Sequence, residues 1–239
     1  MASSIASSPA ASSLVASSPV SIRCKGLLFD MDGILISSLG SVERSWSRWA
    51  RMHGVEPERA IAIAHGRRAV ETIASLRPDL DTAFELKVIE DIELADGDGI
   101  NVLPGVHKLL ATLPADRWTV VTSATDRLAR MRLAAGGIPV PDRIITAEEV
   151  SEGKPHPAPF LAGAALLGFA PEDCVVFEDS SSGVKSGRAA GCTVIATTFS
   201  HPIDSLGAAN YLVPDLTGIV VTPLADGDGL ELRFTPLER

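Results

Sequence analysis

Two aspartates one residue apart close a short apolar run, Leu27-Leu28-Phe29-Asp30-Met31-Asp32-Gly33. The run reads as a buried strand. The carboxylates cannot follow it into the core unless something compensates their charge. They therefore belong at the carboxyl edge of a parallel sheet, where open α/β folds present their ligands. Paired hard oxygen ligands suit Mg2+, and a free carboxylate can attack an electrophile. Asp-Gly-Asp-Gly recurs at 96–99 and 226–229 without a preceding apolar strand, and both copies read as turns. A calcium loop would need more oxygen ligands after Gly33, where Ile34, Leu35 and Ile36 stand instead.

Three further segments carry polar groups beyond apolar runs. Residues 118–122 lead into Ser123 and Ala124. A hydroxyl and a backbone N–H at a helix entrance suit a phosphate oxygen, although Ser and Thr also cap helices everywhere. Lys154 lies in Glu152-Gly153-Lys154-Pro155-His156-Pro157. Its side chain is a compact positive charge suited to phosphate. Last, Cys174-Val175-Val176-Phe177 ends in Glu178-Asp179, repeating the first signal.

The elements that must position these groups alternate. Strand-like runs fall at 26–29, 118–122, 143–146, 174–177, 193–196 and 211–213. Helical patterns fall between most of them, at 106–113, 126–135 (with Asp126 as its own cap), 158–167 and 183–190. Near-continuous apolar strands alternating with helices imply a parallel sheet covered on both faces, a three-layer α/β/α arrangement. Residues 39–100 break the rule and carry no convincing strand. Val42, Trp46, Trp49 and His53 share one helical face, and further helices are expected at 57–64, 69–76 and 82–94. This block reads as an inserted lid hinged at 37–40 and 101–105, with Trp46 and Trp49 in its own core. Residues 219–222 and 230–234 read as a C-terminal hairpin.

The 239 residues fit one core with an insertion, and their 46% apolar content is ordinary. A net charge of −9 argues against a nucleic-acid partner. No run approaches the length of a membrane helix. Cys24, Cys174 and Cys192 are odd in number and sit in or beside apolar runs, as buried free thiols of a reducing compartment do. Residues 1–20 are Ser-, Ala- and Pro-rich and uncharged, and read as a disordered tail. The expected location is cytoplasmic, with a plastid as the alternative if the Ser-rich tail is a transit peptide. A monomer is expected.

Taken in order, Asp-x-Asp, Ser, Lys and Glu-Asp form a pattern more specific than any member. On it the chain resembles the haloacid dehalogenase superfamily of phosphohydrolases, in the branch with a helical cap inserted after the first strand. The resemblance covers about residues 22–216. It implies a Rossmann-like core over 21–38 and 101–216, a cap over 39–100 and an extension over 217–239. Residues 153–157, 177–179, 189–192 and 196–199 look like the sugar and polyol phosphatases, a group with hexitol, 2-deoxyglucose-6-phosphate and glycerol-3-phosphate phosphatases. Cys24-Lys25-Gly26, Val42-Glu43-Arg44 and His65-Gly66 point to the hexitol phosphatases.

The resemblance also implies roles. Asp30 is the expected nucleophile. Asp32 is the general acid and base and offers its backbone carbonyl to Mg2+. Ser123, the Ala124 amide and Lys154 hold the phosphoryl group, and Asp179 completes the metal site with Glu178 nearby. Candidate substrate contacts are Glu43, His65, Arg67, Arg68 and His156. Ile34 and Ser37 depart from the pattern, which usually has threonine and an acid there. They leave open a non-catalytic binding protein on the same fold. A phosphoglucomutase is the other alternative, but its cap histidine is replaced here by Val42. The expected substrate is a small sugar or polyol phosphate.

Overall fold

The computed structural model describes residues 18–64, 67–225 and 227–238. The chain opens with strand β1 (Val20–Cys24) and β2 (Gly26–Phe29), then a two-residue strand β3 (Ile36–Ser37). Four helices follow: α1 (Leu39–Met52), α2 (Pro57–Ala64), α3 (Ala69–Leu76) and α4 (Thr82–Ala95). After β4 (Asn101–Val102) come α5 (Val106–Leu110), β5 (Trp118–Val120), α6 (Asp126–Ala135) and α7 (Ala158–Leu167). The chain continues through β6 (Cys174–Glu178), α8 (Ser181–Ala189), β7 (Thr193–Thr197) and β8 (Tyr211–Val213). A hairpin of β9 (Val220–Pro223) and β10 (Leu230–Phe234) is last in the element order.

Five parallel strands run in the order β5-β2-β6-β7-β8. The pleat sends alternate residues to opposite faces. Leu27, Phe29, Val175 and Phe177 therefore pack with Val106, Leu109 and Leu133 on one side. Leu28 and Val176 pack with Phe160, Ala164 and Val184 on the other. The Phe29 ring stacks on Phe177 at 4.7 Å and meets Trp118 edge-on at 6.0 Å. These cross-strand contacts bind β5, β2 and β6 together. Because β2 lies between β5 and β6, the chain leaves it in opposite directions on the two sides, the arrangement that opens a crevice at the strands' carboxyl ends.

The four inserted helices have a core of their own. Trp46, Trp49, Ala60, Ile73, Leu76 and Ile89 pack together away from the sheet. The Trp49 indole N–H donates to buried Glu85 Oε2 at 2.9 Å. Asp81 caps α4 by accepting from the amides of Ala83 and Phe84.

Several expectations need correction. Residues 143–146 form no strand; Ile145 makes one isolated bridge with Val121. The cap of α6 is Thr125, whose hydroxyl accepts from the Leu128 amide, while Asp126 pairs with Arg130. Both turn-like hinges pair instead, Ile36 with Val102 and Ser37 with Asn101, as an antiparallel ribbon. Val20, assigned to the tail, begins β1, which pairs with β10 from Val20↔Phe234 to Cys24↔Leu230. The hairpin thus completes a separate three-stranded sheet that packs on the first face of the core. Residues 1–17 of the tail, His65 and Asp226 lie outside the described residues. All three cysteines are buried free thiols. Among the described residues no helix is long and apolar enough to cross a membrane.

Candidate active site

At the carboxyl end of β2 the chain leaves the sheet and Asp30 turns into the crevice, its amide donating to the Phe177 carbonyl at 2.9 Å. Lys154 enters from the loop before α7. Its Nζ donates to Asp30 Oδ1 at 2.6 Å, Glu178 Oε1 at 2.8 Å and the Val121 carbonyl at 3.1 Å. All three ammonium donors are satisfied, and the Phe160 ring covers Nζ at 5.0 Å. The lysine is 3% exposed. Burial alone would lower its pKa, but the carboxylates of Asp30 and Glu178 outweigh that and hold it above the ordinary lysine range. The charge that binds here is thus permanent at neutral pH.

Glu178 has both oxygens engaged. Besides Lys154, its Oε2 accepts from the amides of Asp179 and Ser180 and from the Ser180 hydroxyl. Gly183, in the first turn of α8, makes room for it, since a Cβ there would lie 1.6 Å from Oε1. The next residue, Asp179, reaches the same crevice and accepts from the Ser200 hydroxyl. Gly33, at φ 87°, passes so close that a Cβ would lie 1.8 Å from Asp179 Oδ2.

Asp30, Glu178 and Asp179 each bring a carboxylate oxygen within 4.8 Å of the others. One ammonium faces these three carboxylates. Burial, opposed by Lys154 and reinforced by Glu178, pushes the Asp30 carboxyl up to about 7. Burial and the neighbouring Glu178 likewise raise Asp179 well above the carboxylate range. A buried cluster of hard oxygens with too little positive charge is what a divalent cation such as Mg2+ would stabilise. The residues present fit that ion, with Asp30 and Asp179 supplying side-chain oxygens and Glu178 acting mainly on Lys154.

Asp32 faces the same crevice from the other side. Its Oδ1 accepts from the Ser38 hydroxyl at 2.5 Å, and Oδ2 from Arg132 Nη1 at 3.1 Å. Ser123 and Ala124 line the cavity, although the Ala124 amide donates to Thr122 Oγ1 at 3.1 Å. The cavity of about 240 Å³ is bounded on its far side by Val42, Trp46, Leu86 and Ile89.

The sequence-derived substrate contacts fare unevenly. Arg67 lines the cavity and is half-exposed. Arg68 also lines it, but its guanidinium is held by Glu71 at 2.5 Å and by the carbonyls of Val150 and Ser151. It ties the inserted helices to the loop that leads to Lys154. Glu43 is exposed on α1 and lies away from the cavity lining. His156 also lies off the lining, exposed, with Nε2 3.1 Å from Glu152 and Nδ1 accepting from the Ala158 amide. Both contacts are local, one in the loop and one at the first residue of α7. Nor is Trp46 purely core, since it forms part of the cavity wall.

Residues that pattern reading passed over are Arg132, Glu93 and Ser200. The first two left a signal: each is a charge on the buried stripe of its helix, Arg132 beside Leu128 and Ala129, Glu93 beside Ile89. Ser200 follows β7 in an irregular segment and left none.

A carboxylate beside a buried acidic cluster that fits a cation, in the crevice of a doubly wound sheet, is the equipment of a hydrolase with a Rossmann-like core. The particular group follows from its relatives. Residues 24–191 match the haloacid dehalogenase-like hydrolase family, and the chain belongs to it. Hexitol phosphatase A of Escherichia coli (strain K12) is 43% identical over 212 residues, 87% of this chain and 98% of that protein. Glycerol-1-phosphate phosphohydrolase 1 of Saccharomyces cerevisiae is 35% identical over 231 residues, 90% and 92% of the two chains. A hydrolase from Pseudomonas syringae superposes with a TM-score of 0.73 at 24% identity, covering 81% of this chain and 94% of its own, which supports the fold.

Proposed function

We propose that this protein is a Mg2+-dependent phosphatase of small sugar or polyol phosphates, working through a phosphorylated Asp30. The observation that carries the reading is Lys154, buried and held 2.6 Å from Asp30 Oδ1 at the edge of the acidic cluster. A phosphate dianion repels a carboxylate nucleophile, and the fixed ammonium offsets that repulsion. Mg2+, when held by Asp30, Asp179 and the Asp32 carbonyl, supplies further charge neutralisation.

Asp30 attacks phosphorus in line as the bond to the sugar oxygen breaks. The departing alkoxide needs a proton, which the Asp32 carboxyl delivers. Ionised, Asp32 then takes a proton from water. The resulting hydroxide attacks phosphorus, phosphate leaves, and Asp30 is regenerated. Ser123 and the Ala124 amide steady the phosphoryl oxygens, which requires the amide to leave Thr122. The cap, residues 39–100, closes over the substrate, and Arg67, on the cavity lining, meets its hydroxyls.

Ile34 does not weaken this reading. It is 1% exposed in the core, and Ser38 supplies a hydroxyl to Asp32. Val42 lines the cavity where mutases of this branch carry a histidine, which favours hydrolysis over transfer. The three reduced thiols favour a reducing compartment such as the cytoplasm. The test is a phosphate-release screen with Mg2+ over hexitol phosphates, hexose 6-phosphates, 2-deoxyglucose 6-phosphate, glycerol 1-phosphate and glycerol 3-phosphate. Release abolished by EDTA is expected for at least one. Tight binding of these compounds without release would make the protein a binding module instead.

A further inference from the structure

Arg132 points inward from α6 and is 3% exposed. A guanidinium so deep is costly unless its charge is paired. Arg132 has two carboxylate partners, and they come from different parts of the molecule. Nη1 donates to Asp32, at 3.1 Å from Oδ2 and 3.3 Å from Oδ1. Nη2 donates to Glu93 Oε1 at 3.4 Å. Nε has no hydrogen-bond partner. Glu93 belongs to α4 of the cap and is itself 6% exposed. One core side chain thus joins the cap to the group that must give up a proton.

The neighbouring contacts place α4 along α6. Thr125 Oγ1 donates to Glu90 Oε1 at 2.5 Å, and Arg127 Nη1 donates to Asp91 Oδ1 at 3.1 Å. Neither touches Asp32. Arg132 is the member of this seam that does.

We propose that Arg132 is a positioning residue, which orients Asp32 toward the leaving oxygen while the cap's Glu93 shares its guanidinium. The inference rests on the phosphatase reading above. With Glu93 in place, Nη2 is withheld from Asp32 and the contact is one-armed. Without Glu93 the guanidinium is free to take both Asp32 oxygens in a bidentate pair, the strongest geometry available to it. The carboxyl is then turned from the substrate. Proton delivery is thereby tied to a seated cap, and an open site does not present its acid.

The test compares leaving groups. A sugar alkoxide needs the proton from Asp32, whereas 4-nitrophenolate departs without one. The ratio kcat/KM reports only the steps up to that departure. Two variants break the bridge: Arg132→Lys, which cannot reach both carboxylates, and the double change Glu93→Leu with Arg132→Met, which leaves no unpaired buried charge between those two positions. For both, kcat/KM should fall about tenfold or more with the fastest sugar or polyol phosphate of the screen, and less than about threefold with 4-nitrophenyl phosphate. Arg127→Ala cuts the same seam on its exposed side and should leave the ratio of the two substrates unchanged. Equal losses on both substrates, or no loss on either, would overturn the positioning role while leaving the phosphatase reading intact. A wild-type protein inert on every substrate, 4-nitrophenyl phosphate included, would overturn that reading and the inference with it.

Discussion

Asp30 and Glu93 are acids that the fold keeps from water, and both are pushed up to about 7, chiefly by burial. A carboxyl raised in the folded state binds its proton more tightly there than in the unfolded chain. Its stabilising effect is complete below the unfolded value near 4 and is lost as pH rises through about 7. At about 1.4 kcal/mol per pH unit, the two groups should make the metal-free protein roughly 2–4 kcal/mol less stable at pH 8 than at pH 5.5. Urea unfolding in EDTA at the two values measures this, and equal stabilities would contradict it. Mg2+ binds the ionised cluster, so it should raise the melting temperature more at pH 8 than at pH 5.5. Asp30→Asn should abolish phosphate release on every substrate of the screen, since an amide cannot accept the phosphoryl group; steady-state turnover in that variant would reject the covalent route. At this scale much was legible, because Asp30, Asp32, Lys154, Glu178 and Asp179 each stand at or beyond the end of an apolar run and all reach one crevice. The contacts of Arg68 and His156 were not legible. Whether a loop side chain turns inward or back along its own chain depends on partners far away in sequence, such as the Val150 carbonyl.

Helix α8 shows how an element serves a site. Ser180 caps it by accepting from the Gly183 amide at 3.0 Å, and also gives a hydroxyl to Glu178. Gly183 lies in its first turn against that carboxylate. Alanine is a better helix former than glycine by about 1 kcal/mol. Even so, Gly183→Ala should lower kcat by about a hundredfold, because a Cβ displaces Glu178 and with it the ammonium of Lys154. A kinetic assay beside a circular-dichroism spectrum separates the two effects, and an active, well-folded variant would contradict the account. Longer elements were the readable ones. The spans of α2, α3 and α6 follow from apolar spacing and flanking turn residues. Strands β3 and β4 have two residues each, too few for any period to show. Residues 143–146 misled for the opposite reason: the β-branched run is that of a strand, but the chain touches the sheet edge beyond β5 through one isolated bridge, Ile145 with Val121.

The described residues form three apolar clusters, and Leu232, in the one beneath the C-terminal sheet, does not line the catalytic cavity. Leu232 is fully buried there, opposite Ile22. Leu232→Ala should cost about 2–5 kcal/mol of stability through the cavity it leaves. Denaturant titration measures the loss, and kcat should stay at the wild-type value; a drop in kcat at a temperature where the variant is folded would contradict this. The hairpin was legible in its turn and alternation, but its third strand was not. Val20–Cys24 borders a segment of quite different composition, and its partner lies far on in the chain, at Glu231, which stands opposite Arg23 and accepts from the Ser21 hydroxyl 210 residues away. The β3–β4 ribbon bears on how such an enzyme diversifies. Paired strands run about 5 Å apart, so the whole helical insertion leaves and re-enters the barely interrupted sheet domain through one narrow doorway. An unrelated bundle with adjacent ends could be grafted there without rethreading the host. Recognition can therefore be exchanged as a cassette while the reacting carboxylates stay where they are.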